Sequence, residues 1–447
     1  MTKASADSEN TDTIVILIAL DTLRADHMSC YGYGLETTPG IDELAGEGVL
    51  FESCIAPAIP THPGYTTIFT GLNPLRHGIV CHRGRLLLSE EAQMISQILY
   101  MRGFLTVAVD NLTATGAPWF SRGYEYYIFS GGVTVVSGGC KINGELTTRK
   151  AIEFLEIWRE GRLGSRPLFM FIHYWDPHAP YLPPPPFKGT FYRPGGKPQP
   201  LRELMMRTVW GRNILDGWAG RIIEEHDDKA YMDSLYDEEI LYADKQVSDL
   251  ISWLMDHELY DESTILVTAD HGELLGEHEI FYDHHGLYEG DIHIPLIIKS
   301  PGMPRGVRVK GFATHEDIAP TIIELLGMDV DVRFDGKPLV EAAERREIRR
   351  EFVVSLENTR MTKRAIRTRD WKLIQTMRPD VYGNPAGHLE LYDLRRDPEE
   401  KENIADSEED LLKNLLFKLE SWYRRTLNGN PDPLTTQPIS MPIRRRG

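Results

Sequence analysis

A chain of 447 residues, 41% of them apolar, is longer than one small core organises, so one large α/β domain with a smaller appendage is expected, or two domains. Its 67 acidic against 49 basic residues leave a formal charge of −18, which argues against nucleic-acid or anionic-membrane binding but not against an anionic substrate neutralised by a metal. The polar first dozen residues lack the basic start and apolar run of a signal peptide, and Cys30, Cys54, Cys81 and Cys140 show neither zinc-like spacing nor a disulfide pattern, so a cytoplasmic location is expected.

Thr13 to Leu20 is a continuous β-branched and apolar run, too short to span a bilayer, and it reads as a strand buried on both faces of a parallel sheet. Asp21 follows immediately, where open α/β sheets place ligands, although a carboxylate there also caps turns. Thr38 to Ala45 reads as an amphipathic helix and Val49 to Phe51 as a short strand. Pro60 to Gly71 reads as a short capped helix whose free N–H groups suit an oxyanion; Thr61 is then either its N-cap or a nucleophile. Ser89 to Met101 has helical spacing, and Leu105 to Val109 is a second buried strand ending at Asp110-Asn111.

Thr147 to Trp158 reads as a helix, and Pro167 to Tyr174 as a third strand ending at Trp175-Asp176-Pro177-His178. This rhythm implies a mainly parallel sheet flanked by helices. Residues 179–230 are read as an insertion, Pro- and aromatic-rich up to Pro200 and helical after it, that walls a pocket or makes homo-oligomer contacts. Tyr231 to His257 follows as a long helix. Ser263 to Ala269 is the next strand, ending in Asp270-His271-Gly272-Glu273, where adjacent ligand-type side chains are costly to bury without a cation or hydrogen bonds. Asp283-His284-His285-Gly286 precedes the strand Ile294 to Ile298, and Ala319 to Gly327 reads as a helix with a glycine stop. Glu341 to Glu351 reads as a linker or solvated helix. Beyond it, strands at Phe352, Trp371 and Leu391 and a helix from Glu408 to Thr426 suggest a small antiparallel sheet with one helix. The division expected is a catalytic domain over residues 1–350 and an α+β subdomain over residues 351–447.

The ordered set Leu20-Asp21-Thr22-Leu23-Arg24-Ala25-Asp26-His27, Thr38-Pro39-Gly40-Ile41-Asp42, Trp175-Asp176-Pro177-His178-Ala179-Pro180-Tyr181, Thr268-Ala269-Asp270-His271-Gly272-Glu273, His285-Gly286-Leu287-Tyr288-Glu289 and Glu390-Leu391-Tyr392-Asp393-Leu394 resembles the sulfatase branch of the alkaline phosphatase superfamily. The resemblance implies an alkaline-phosphatase/sulfatase-like α/β fold. It also puts Asp21, Asp270 and His271 at metal-ligand positions and Thr61 at the nucleophile position, also bound to the metal. His178 and His285 match positions that touch the transferred group or assist the leaving group. Asp176 either orients His178 or ligates a metal.

One departure bears on the chemistry. Members that form formylglycine carry Cys or Ser at the nucleophile, Pro two residues on and Arg four on, whereas this chain has Thr61, Pro63 and Tyr65. The Gly-Lys motif expected after the strand Leu105 to Val109 is replaced by Asp110-Asn111. Threonine at this position is similar to nucleotide pyrophosphatase/phosphodiesterases, phosphonoacetate hydrolases and lipoteichoic acid synthases, which act on phosphorus. The expectation is a metal-dependent hydrolase of small anionic esters, a phosphodiester or a phosphate or phosphonate monoester, working through a phospho-threonine. Mn²⁺, Zn²⁺ or Fe²⁺ suit the donors best, with Mg²⁺ or Ca²⁺ open, and Asp176, His178 and either His284 or His285 are the set for a second cation. The competing readings are a sulfate-ester hydrolase without formylglycine and a catalytically silent metal-binding protein of the same fold.

Overall fold

The computed structural model describes residues 13–131, 134–136, 139–195 and 198–441; the N-terminal dozen read for targeting lies outside them. Ile14–Leu20, all seven residues buried, forms the middle of a mixed sheet. It pairs in parallel with Leu168–Tyr174 on one side and Ser263–Thr268 on the other, and Leu105–Val109 adds in parallel beyond Leu168–Tyr174. These runs carry no Asp, Glu, Lys or Arg because helices cover both faces. Leu296–Lys299 then joins Ser263–Thr268 antiparallel and links it to Val49–Ile55. The mainly parallel character therefore holds for the centre, and one flank reverses.

Most expected elements are present with shifts of a few residues in their ends, whereas the helical spacing of Ser89 to Met101 yields a helix only over Ile95–Met101. The strand expected at Ile294 to Ile298 is two, His293–Ile294 and Leu296–Lys299, because Pro295 cannot donate to a ladder. The helical stretch after residue 200 is three short helices, Leu201–Met206, Val209–Leu215 and Ala219–Glu225, before the long helix Lys229–Asp256. The charged stretch after residue 340 contains the helix Val340–Arg345, with Ala343 buried. Among the strands that escaped the sequence reading are Val307–Thr314, which alternates buried and exposed only over its first half, and Lys363–Thr368, whose lysine and arginines read as surface.

The smaller sheet runs Leu389–Asp393, Trp371–Thr376, Lys363–Thr368 and Phe352–Glu357, all antiparallel, with the helix Glu409–Leu427 beside it. Its last neighbour is Ala58–Ile59, from the larger domain, paired in parallel with Leu356 and Glu357. That short strand ends one residue before Pro60, so the C-terminal sheet fixes the chain that enters the helix Thr61–Thr70.

Buried ion pairs tie the two parts together. Lys372, fully buried, bridges Glu289 at 3.0 Å and Glu400 at 2.6 Å, and Arg367 reaches Glu289 at 3.1 Å. Arg350 holds Asp317 through two bonds of 2.8 Å. Removing one partner of such a pair strands the other charge in a dry interior. K372M should accordingly lower the unfolding free energy by about 3 to 5 kcal/mol, read from urea titration with the fold checked by circular dichroism.

Candidate active site

The central strands all end at one edge, and the chemistry gathers there. Asp21 follows the first strand, Asp110 follows Leu105–Val109, and Asp270 lies two residues beyond Ser263–Thr268. Asp21, Asp270 and His271 are fully buried, and one ligand-type atom from each lies within 4.8 Å of the others. Their remaining contacts aim these atoms inward. Asp270 Oδ1 accepts from the backbone N–H groups of Thr22 and His271, which leaves Oδ2 free. His271 donates Nδ1–H to the Gly272 carbonyl at 2.8 Å, so its Nε2 carries the lone pair. Asp21 Oδ2 is bonded to His173, and Oδ1 has no partner.

The titration pattern follows from this crowding. Burial raises the Asp270 carboxyl well above its ordinary range, and the neighbouring Asp21 pushes it the same way. Burial opposes ionisation of Asp21 too, but the His173 hydrogen bond and the charges of nearby histidines hold it low. Burial keeps His271 neutral, with a pKa of about 3. Three orphaned atoms, two carboxylate oxygens and one imidazole nitrogen, converge on one point, and that donor set fits a divalent cation.

His173 is the residue that the sequence reading missed. It sits inside Leu168–Tyr174 opposite Ala19, and its ring bridges Asp110 Oδ1 at 2.8 Å and Asp21 Oδ2 at 3.2 Å. Burial opposes its charge, yet the two carboxylates raise its pKa to about 9. The only trace in the sequence was a titratable residue in an otherwise apolar run.

Thr61 is the first residue of the helix Thr61–Thr70, with Pro60 in the cap position, so its hydroxyl does not N-cap the helix. The helix start is seated against Asp270: a methyl on Gly64 would lie 2.9 Å from the Asp270 carbonyl and 3.1 Å from its Cβ. Gly64 N–H is bonded to Pro60 and Pro63 has none, which leaves the N–H groups of Thr61 and His62 at the helix start. His62 is held away from acid–base work, its Nδ1 accepting from Arg83 N–H at 3.0 Å and its Nε2 meeting Thr115 at 2.7 Å. Tyr65, where formylglycine-forming members carry arginine, is buried among Phe69, Phe120, Phe171 and His173.

The histidines separate into different roles. His178 donates Nδ1–H to the Ala179 carbonyl at 2.6 Å, and its half-buried ring lies 5.7 Å from that of His284. His284 in turn lies 4.3 Å from the His271 ring. His285 is fully buried and engaged at both nitrogens, with Asp283 at 3.1 Å and the Tyr382 hydroxyl at 2.9 Å. Asp176 does not join His178 and His284 as expected for a second cation. Its buried carboxylate pairs with Lys141, beside Glu239 and under Gly144. Lysine satisfies that charge, so the expected second set is broken. His284 instead meets Glu273 and Asp283.

A family profile described as Sulfatase matches residues 13–328, and one described as N-sulphoglucosamine sulphohydrolase, C-terminal, matches residues 276–424. The N-acetylglucosamine-6-O-sulfatase of Bacteroides thetaiotaomicron is 25% identical over 509 aligned positions, covering 94% of this chain and 88% of that protein. The crystal structure of the phosphonate monoester hydrolase of Agrobacterium radiobacter superposes with a TM-score of 0.74 at 21% identity, covering 93% of this chain and 96% of that one. A structure holding D-glucosamine-2-N,6-O-disulfate as its substrate superposes with a TM-score of 0.75 at 21% identity, covering 94% and 99%.

Two outcomes follow from the geometry. Stripping divalent cations should lower the melting temperature, and adding cation at about 100 times its Kd should restore about 2.7 kcal/mol of stability per site; D270N should weaken that response in differential scanning fluorimetry. Burial raises the pKa of Glu239 to about 8, with Lys141 opposing and Asp176 reinforcing. A carboxyl raised in the folded state contributes stability that is complete below its ordinary value and lost as the pH rises through about 8. E239Q should therefore gain on the wild type in melting temperature between about pH 5 and about pH 8.5.

Proposed function

The chain belongs to the sulfatase family of the alkaline phosphatase superfamily, and from that premise we propose that it is a metal-dependent hydrolase of phosphorus esters, a phosphodiester or a phosphate or phosphonate monoester, with Thr61 as nucleophile. One observation carries the reading. Thr61 is the first residue of a buried helix with its hydroxyl not spent on capping, and that helix is seated at Gly64 against Asp270, whose free oxygen converges with free atoms of Asp21 and His271. An unmodified threonine lacks the formylglycine hydrate that sulfate transfer in this family uses, and Tyr65 is packed in the core where the maturation arginine would stand.

Asp21, Asp270, His271 and Thr61 would hold the cation. When bound it would lower the pKa of the threonine hydroxyl and draw charge from the transferring group. The mixed oxygen and imidazole donors favour Mn²⁺, Zn²⁺ or Fe²⁺ over Mg²⁺ or Ca²⁺. Thr61 Oγ gives up its proton to water and forms the bond to phosphorus as the bond to the leaving oxygen breaks in line. The Thr61 and His62 N–H groups and the positive end of the helix take charge on the equatorial oxygens. His178, with Nδ1–H committed to Ala179, presents Nε2 as the group that assists the leaving oxygen. His285 has no free nitrogen, so it orients the Tyr382 hydroxyl rather than reaching the leaving group itself. Water then cleaves the phospho-threonine and Thr61 recovers its proton.

The location proposed is cytoplasmic, and the substrate a small molecule. A sugar sulfatase is among the relatives and a phosphonate monoester hydrolase shares the fold, so a sulfate ester is the second reading. Parallel assays on aryl sulfate, phosphate monoester, phosphodiester and phosphonate monoester decide between them. A phosphorus ester should be turned over at least about a hundredfold faster than the sulfate, and a dominant sulfatase activity would overturn the reading. T61A should lose more than about a thousandfold in kcat while keeping fold and metal content; turnover near wild type would remove Thr61 as nucleophile.

A further inference from the structure

Beyond the first cluster, a second group of ligand-type side chains lies against it. Glu273, two residues after His271, is buried, and neither of its carboxylate oxygens has a hydrogen-bond partner. His284 Nδ1, also without a partner, lies 3.5 Å from Glu273 Oε1. On the other side of the imidazole, His284 Nε2 is 3.7 Å from Asp283 Oδ1. Asp283 Oδ2 is already taken, by His285 at 3.1 Å and Arg360 at 3.2 Å, which turns Oδ1 toward His284 and Glu273. One ligand-type atom from each of Glu273, Asp283 and His284 lies within 4.8 Å of the other two.

The charge around this group does not balance. Asp291 is fully buried nearby with Oδ1 unpartnered, and among the described residues Arg360 is the one guanidinium in contact with Asp283. A fully desolvated carboxylate with both oxygens empty is rare unless something outside the chain occupies it. An imidazole nitrogen facing the same space adds a donor that a simple buried acid would not need.

We propose that Glu273, Asp283 and His284 hold a second divalent cation, distinct from the one at Asp21, Asp270 and His271. Two carboxylates and an imidazole are a donor set for Zn²⁺, Mn²⁺ or Fe²⁺ rather than for an all-oxygen cation. The two sites are neighbours across the His271 and His284 rings, whose centroids lie 4.3 Å apart with the planes tilted by 47°. The Asp283 ligand is held by Arg360 and the His285 ring by Tyr382, so the C-terminal subdomain shapes this site from behind. A cation here offsets the buried carboxylates and puts a second positive centre beside the first.

The test counts cations and does not use turnover, so it stands whether or not Thr61 is the nucleophile. Isothermal titration of chelator-stripped protein with Mn²⁺ or Zn²⁺, with metal content checked by mass spectrometry, should give two equivalents for the wild type. E273Q and D21N should each give one, and the double variant none. Wild-type crystals soaked in Mn²⁺ and measured at its absorption edge should show two anomalous peaks, one between Glu273 and His284, which covers the case of a variant that fails to fold. One equivalent and one peak in the wild type, or two equivalents retained by E273Q, would overturn the second site.

Discussion

Carboxylates with no solvent around them are the constraint on which this structure turns. Asp21 and Asp270 sit at the ends of neighbouring parallel strands, where strand direction brings side chains from distant parts of the chain to one edge. Two such groups repel each other in a low-dielectric setting, and the protein answers with different partners for each. His173 shares its ring with Asp21 and Asp110, while backbone N–H groups satisfy one oxygen of Asp270. What remains is a set of inward-facing atoms that only a ligand can complete.

The smaller sheet is part of the same solution. Its pairing with Ala58–Ile59 anchors the approach to Thr61, and Glu357 accepts from Gly286 N–H at 2.9 Å in the loop that carries His284 and His285. Arg360 and Tyr382 come from the same subdomain and hold Asp283 and His285. The two hydrophobic cores do not divide cleanly at residue 350: Ala58, Leu75 and Val80 pack in the smaller one, and Val353, Ala365, Ile374 and Tyr392 in the larger. The buried Lys372 and Arg350 pairs keep these supports in place against the larger domain.

Much of the site was legible because parallel strands announce themselves as apolar runs, and the residue after each run is where ligands go. Asp21, Asp270 and His271 were visible on that ground, and the helix Thr61–Thr70 by its proline and its glycine stop, Gly71 at a φ of 62°. His173 was hidden for the opposite reason: it lies inside the strand, where a periodic pattern predicts core. Asp176 was misplaced because its motif neighbours pointed to the site, whereas Lys141, more than thirty residues upstream, claims its carboxylate. Glu273 and Asp283 had been seen as motif members without a role, since nothing local shows that their oxygens lack partners.

The sequence by itself determined the architecture, the order of its motifs and the identity of the nucleophile candidate, because these depend on local periodicity, capping and residue type. It also determined the departure at Thr61 and Tyr65. Only the tertiary structure decided which side chains meet. The Asp110–His173–Asp21 bridge, the capture of Asp176 by Lys141 and the convergence of Glu273 with His284 are contacts between strand ends and loops far apart in the chain. Their energies come from desolvation and charge pairing, and both exist only once the sheet has brought those ends together.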